Sequence, residues 1–208
     1  MIAINVHLER SDSLSEGAEL IKDDGYEFNE LQRDGYNIQL ISAVLSHYSE
    51  TLINDFLEIV VFDILIGNTD RHSQNWGITK LANGENKLAP AYDNSSSLGR
   101  EFNSNLPKVI ARLKDNNLFK QYCHSSKGTY NIGWKEKYKI PLLDYIKLVY
   151  SEYPSIISHH INKLESLTPN AVEQIVLKVP QIIMNDSIKE FVIMFINYRR
   201  DYLLNLIK

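Results

Sequence analysis

Between Leu52 and Leu65 two rows of apolar residues run side by side at four-residue spacing: Leu52, Phe56, Val60, Ile64 and Ile53, Leu57, Val61, Leu65. A stripe that broad predicts a helix buried at the centre of a domain, because a surface helix needs only one apolar face. Ser49 or Thr51 is placed to cap its start, and Gly67 to end it by taking the left-handed conformation. The polar run Asn68-Thr69-Asp70-Arg71-His72-Ser73-Gln74-Asn75-Trp76-Gly77 follows at once, so its side chains hang from the end of a rigid element.

The rest of the chain predicts a mainly helical fold around that element. Ile2, Ile4, Val6 and Leu8 alternate with polar or small residues in the period of a half-buried strand, which has no partner in the chain until the hairpin near residue 80. Residues 9–36, rich in Ser, Asp, Glu and Gly, read as a loop with short turns. A helix over 37–48 would bury Ile38, Ile41, Val44, Leu45 and Tyr48. Trp76–Lys80 and Lys87–Ala91 flank Asn83-Gly84, a dipeptide suited to the positive φ values of a tight hairpin. Beyond Gly99 the pattern is almost wholly helical. Leu142, Tyr145, Ile146 and Val149 form one face, and Ile157, Ile161, Leu164 and Leu167 another. Thr168-Pro169 opens a further helix, Pro180 closes it, and a last helix carries Ile188, Phe191, Val192, Phe195, Tyr202, Leu203 and Leu206.

With 208 residues, 44% of them hydrophobic, the chain can bury a core. Its net charge of -4 argues against direct binding to a nucleic-acid backbone. The single cysteine, Cys123, cannot form an internal disulfide, which fits a reducing cytoplasm. The first residues lack the basic and apolar segments of a signal peptide, and no window supplies the ~20 apolar residues of a membrane span. The expected location is cytoplasmic, with no membrane partner.

The chemistry concentrates in three positions. Asp70 is followed by Asn75 five residues on, and Asp93 arrives after the hairpin, within Ala89-Pro90-Ala91-Tyr92-Asp93-Asn94. Kinases use this spacing to place a catalytic carboxylate and two magnesium ligands around a triphosphate. Asp70 would orient or deprotonate an attacking hydroxyl, while Asn75 and Asp93 would offer a neutral and an anionic oxygen to Mg2+, a cation that keeps several waters. Arg71 and His72 are suited to bonding the loop backbone, and Arg71 alternatively to meeting a phosphate. Two other readings stay open. Asn68, Thr69, Asp70 and Asn75 are residues that turns favour, and Asp70, His72 and Asp93 could build a metal-hydrolase site, although no second His or Glu at helical ligand spacing supports it. His159 and His160 point in different directions on one helix and read as surface or packing residues. Ser95-Ser96-Ser97 reads as a polar loop at the place of a kinase activation segment.

Leu65-Ile66-Gly67-Asn68-Thr69-Asp70-Arg71-His72 with Asn75-Trp76-Gly77, then Leu88-Ala89-Pro90-Ala91-Tyr92-Asp93-Asn94-Ser95-Ser96-Ser97-Leu98-Gly99, resembles the C-terminal lobe of HipA-like serine/threonine kinases, toxins of bacterial toxin–antitoxin pairs distantly related to phosphatidylinositol 3/4-kinases. Gly17-Ala18-Glu19-Leu20-Ile21 resembles the stretch that follows the hinge in Gram-positive-type members. The resemblance implies a mainly α, protein-kinase-like C-terminal lobe over residues 15–208, with a short β-hairpin at the catalytic site. It makes residues 1–14 a remnant N-lobe strand and hinge. It implies Asp70 as the catalytic aspartate, Asn75 and Asp93 as magnesium ligands, and ATP and Mg2+ as cofactors. A protein substrate and an antitoxin-like or N-lobe-supplying partner follow by the same route. The glycine-rich phosphate loop and strand lysine of full-length members have no counterpart before residue 65. That absence favours a lobe lacking most of its ATP clamp, with a non-catalytic remnant or regulatory binding module as the alternative.

Overall fold

The computed structural model describes residues 13–26, 35–102, 105–126 and 128–208. Strand β1 (Ser13–Glu16) leads into helices α1 (Gly17–Asp23), α2 (Ile38–Ser46) and α3 (Leu52–Ile66). A hairpin of β2 (Gly77–Lys80) and β3 (Asn86–Leu88) follows. Helices α4 (Leu106–Lys114), α5 (Asn116–Ser125), α6 (Leu142–Glu152), α7 (Pro154–Asn162), α8 (Pro169–Leu177) and α9 (Asp186–Leu206) complete the lobe. It is a mainly α fold with one small sheet, as the apolar periods predict.

The two-row stripe makes α3 the axis of the core. Phe56, Leu57, Val60 and Ile64 have no exposed surface, and they pack within one cluster that takes in Ile41 and Val44 of α2, Tyr145 and Ile146 of α6, Ile157 and Ile161 of α7 and Leu203 of α9. Full burial of such side chains contributes about 1.5–3 kcal/mol each, which is why this helix fixes everything hung from it. A second cluster (Phe102, Phe119, Tyr122, Phe191 and Phe195 among its members) fills the space between α4, α5 and the first half of α9. Helix α9 spans both clusters and locks them together.

Several expected boundaries stand. The Asn37 side chain accepts from Leu40 N–H at the start of α2, and Thr168 from Ala171 N–H at the start of α8, with Pro169 next in line. Gly67 closes α3 at φ 74°. Two expectations need correction. The loop expected over 9–36 is in part ordered structure: β1 pairs antiparallel with β2 (Ser13 opposite Lys80, Glu16 opposite Gly77), and α1 follows directly. Its polar composition misleads because a four-residue edge strand and a seven-residue helix bury only a few side chains, Leu20 and Ile21 chief among them. The strand expected over 2–8 lies outside the described residues. At the hairpin only Gly84 takes positive φ; Leu81 O accepts from Gly84 N–H and Leu81 N–H donates to Glu85 O. Three loop residues therefore replace the two-residue turn that Asn83-Gly84 suggested. Residues 128–141 form no helix, a break in the helical pattern that matters below.

The join between α3 and the polar run is held from behind. A Cβ on Gly67 would lie 2.5 Å from Ser126 Oγ and 2.6 Å from Phe195 Cζ. Arg199, fully buried on α9, donates to Ser126 Oγ (2.6 Å) and to Ile64 O, and its guanidinium lies 4.7 Å from the Phe195 ring. Burial lowers its pKa to about 10. The carbonyl end of the α3 dipole supplies favourable negative potential there, since Ile64 O lies in the last turn. Gly67→Ala combines the left-handed backbone penalty with overpacking, so urea unfolding is expected to show a loss of about 3 kcal/mol.

Candidate active site

The polar run leaves α3 at Gly67 and is organised by a buried ion pair that spacing alone did not reveal. Arg71 and Asp63 are both fully buried. Arg71 Nε donates to Asp63 Oδ2 (2.9 Å) and Nη2 to Asp63 Oδ1 (2.6 Å), the bidentate geometry a guanidinium favours. Its other three protons go to Asn75 O (2.6 Å), Tyr92 O (2.7 Å) and Asn94 Oδ1 (2.6 Å). All five donors are thus committed, and the expectation that Arg71 could meet a phosphate is overturned. Burial opposes its charge, but the Asp63 carboxylate more than offsets this and holds the guanidinium's pKa above its ordinary value. Asp63 also accepts from Asn68 Nδ2 (3.0 Å) and Tyr130 Oη (2.7 Å). Asp63 stands seven residues after Phe56 and three after Val60. An acid on the apolar stripe was the available sequence signal for this pair.

One guanidinium therefore ties Asn75, at the end of the polar run, to both neighbours of Asp93, the Tyr92 carbonyl and the Asn94 side chain. Tyr36 Oη adds a second brace by donating to Arg71 O (3.1 Å), and Trp76 Nε1 donates to Tyr36 Oη (2.9 Å). Trp76 itself is buried edge-on against Phe56.

Asp70 is half-buried. Its Oδ1 accepts from Asn131 Nδ2 (2.6 Å) and its Oδ2 from Ser96 Oγ (3.3 Å), while Asn131 N–H donates to Thr69 O (3.1 Å). Asn131 comes from the non-helical stretch after α5, 61 residues from Asp70, and nothing in the sequence marked it. Asn75 is buried; its Nδ2 donates to Asp70 O (2.8 Å), so the amide oxygen is its remaining ligating atom. Asp93 is exposed and adopts φ 44°, left-handed backbone that a non-glycine residue takes at some cost. One of its oxygens accepts from Ser95 Oγ (2.9 Å). His72 accepts from Gln74 N–H (3.3 Å) and so serves the loop backbone.

Among the described residues neither Asp70 nor Asp93 has a cationic side-chain partner. The Asp93 carboxylate and the Asn75 amide oxygen are hard oxygen donors of the kind Mg2+ takes, a cation that needs few protein ligands and completes its shell with water and phosphate. Among the described residues no three His, Cys, Asp or Glu side chains converge on a common point, so the metal-hydrolase alternative of Asp70, His72 and Asp93 is not formed. His160 is buried with Nε2 against Asn54 O (3.0 Å), a packing residue as expected. Cys123 is buried, and burial raises its thiol pKa to about 12, which leaves it without nucleophilic character. A groove of about 610 Å³ between α3 and β3, with Ile59, Phe62 and Leu88 among its lining residues, runs beside the backbone leading to Asp93 but does not include the three candidate residues.

The HipA-like C-terminal domain family matches residues 17–131. The Sinorhizobium fredii protein named "Putative kinase Y4dM" is 33% identical over 95 residues, which cover 44% of this chain and 23% of that protein. The chain thus spans less than a quarter of this curated relative. The crystal structure of a Helicobacter pylori proinflammatory kinase, CtkA, superposes with a TM-score of 0.77 over 95% of this chain and 70% of that one, at 18% identity, a likeness of fold. The match of family and fold covers the segment that carries Asp70, Asn75 and Asp93.

Proposed function

Because the chain belongs to the HipA-like C-terminal domain family, we propose that it is the catalytic lobe of a serine/threonine protein kinase that transfers phosphate from ATP with Mg2+. The observation that carries this reading is the Arg71 hub, which holds Asn75 and the Asp93 segment in fixed relation beside Asp70. Phosphoryl transfer asks mainly for such positioning and for charge neutralisation. In this reading Asp70 Oδ2 orients the acceptor hydroxyl and takes its proton, with Asn131 fixing the carboxylate through Oδ1. Asn75 Oδ1 and the Asp93 carboxylate hold Mg2+, which neutralises charge on the phosphates. Residues 15–208 form the lobe, residues 1–14 the hinge side, and the clamp over the phosphates comes from an N-lobe or N-lobe-supplying partner. The substrate is a protein, and an antitoxin-like regulator and a cytoplasmic setting accompany the family reading.

A non-catalytic binding module is the second reading. Calorimetric titration of ATP with and without Mg2+ separates the two. Binding is expected to require Mg2+ and to be lost in Asp93→Ala; binding indifferent to both, or none, would favour the module.

A further inference from the structure

We propose that the groove between α3 and β3 docks an extended segment of a partner protein, which adds to β3 as a fourth strand and meets Asp55 with a lysine or arginine. The sheet runs in the order β1-β2-β3, so β3 is an edge. Ala89 N–H donates to Gly77 O and Leu81 N–H to Glu85 O, both at 2.9 Å, which fixes the alternation of the antiparallel ladder between them. Thr79 and Lys87 lie opposite each other midway, so the Lys87 backbone bonds inward to β2. The N–H and C=O groups of Asn86 and Leu88 therefore point outward, and among the described residues they have no hydrogen-bond partner. Pro90, the next outward position, has no N–H, which confines pairing to Asn86 and Leu88.

The groove gives that edge a wall. Leu52, Asp55, Ile59 and Phe62 recur at three- and four-residue spacing and turn one face of α3 to it. Ile59 is buried, whereas Phe62 is 37% exposed, a large ring with apolar area still open to a partner. Leu88 packs against the core that α3 leads, and Asn86 shares its face of the strand. Residues of an added strand that pair with Asn86 and Leu88 place their side chains on that same face, toward α3.

The charges select the occupant. Asp55, Glu58 and Glu85 line the groove against one cation, Lys87. Glu58 is engaged by Lys163 (2.9 Å) and Glu85 by Lys87 (3.6 Å), while Asp55 has no cationic partner among the described residues. A basic side chain therefore complements the groove and an acidic one is repelled. The shortness of β3, three residues with Lys87 at their centre, discourages indiscriminate edge pairing. Main-chain bonds to Asn86 and Leu88 supply affinity, and the α3 wall supplies the choice of side chains. The inference stands apart from the kinase reading, because it uses neither Asp70 nor the metal ligands.

The probe is a fluorescein-labelled peptide, Lys-Ser-Val-Thr-Val-Ser-Lys, whose valines and lysines fall on one face of a strand. Its binding to the full chain is followed by fluorescence anisotropy without ATP, so neither result touches the kinase reading. Saturable binding is expected, about tenfold weaker when both valine amides are N-methylated and cannot donate to Asn86 O and Leu88 O. Binding to Asp55→Lys should also be about tenfold weaker, and a peptide with glutamates in place of its lysines should prefer that variant to the native chain. Hydrogen exchange followed by NMR should show the peptide protecting the Asn86 and Leu88 amides. No saturable binding at millimolar peptide, equal binding of the methylated peptide, indifference to Asp55→Lys, or protection centred elsewhere overturns the proposal. So does concentration-dependent protection of these two amides without peptide, which would give the edge to a second copy of this chain.

Discussion

Arg71→Met is expected to lower the stability of the chain by about 4 kcal/mol in urea unfolding, the scale at which removing one partner strands a buried charge. Typical domains have only about 5–15 kcal/mol to lose. The substitution leaves Asp63 fully buried with Asn68 and Tyr130 as its remaining donors, and it strips Asn75 O and Tyr92 O of theirs. Arg71→Lys should recover little, because one ammonium cannot serve acceptors spread over three segments. The double variant Asp63→Leu/Arg71→Met should be more stable than the sum of its singles predicts, since no lone charge remains buried. An Arg71→Met loss below about 1 kcal/mol, the range of ordinary substitutions, would mean that the pair does not organise the site.

Asp70→Asn is the second large effect, and it falls on chemistry. Amide replaces carboxylate without changing shape, and Asn131 keeps an acceptor at Oδ1. Stability should therefore shift by about 1 kcal/mol or less, the scale of one altered hydrogen bond. Transfer of γ-phosphate from ATP to a generic protein acceptor should fall about 10³-fold, the middle of the range for a lost general base. Mg·ATP affinity should change little, because Asn75 and Asp93 are untouched. Undiminished transfer would remove Asp70 from the mechanism.

The parts of this site that were legible in the sequence share one property: their meaning is local. The apolar rows gave α3, Gly67 gave its end, and the turn-favouring residues from Asn68 to Asn75 gave a polar loop, which the Asn75 side-chain amide braces by donating to Asp70 O. The illegible parts depend on distant segments. Asn131 reaches Asp70 from a stretch with no helical or strand period, and Tyr130 reaches Asp63 across 67 residues. Arg71 could be read as a phosphate ligand because its five acceptors come from four residues that only the folded chain brings together. Polar composition likewise hid β1, whose order comes from pairing with β2 rather than from its own side chains.

In the proposed mechanism Asn75 and Asp93 form one metal–nucleotide site beside Asp70. Paramagnetic broadening of backbone amide signals by Mn2+ with ATP tests it most directly. Broadening is expected to centre on Asn75 and Asp93, to extend to Asp70 and Ser96, to weaken when ATP is left out and to vanish in Asp93→Ala. Broadening centred elsewhere on the lobe, or unchanged in Asp93→Ala, would contradict it.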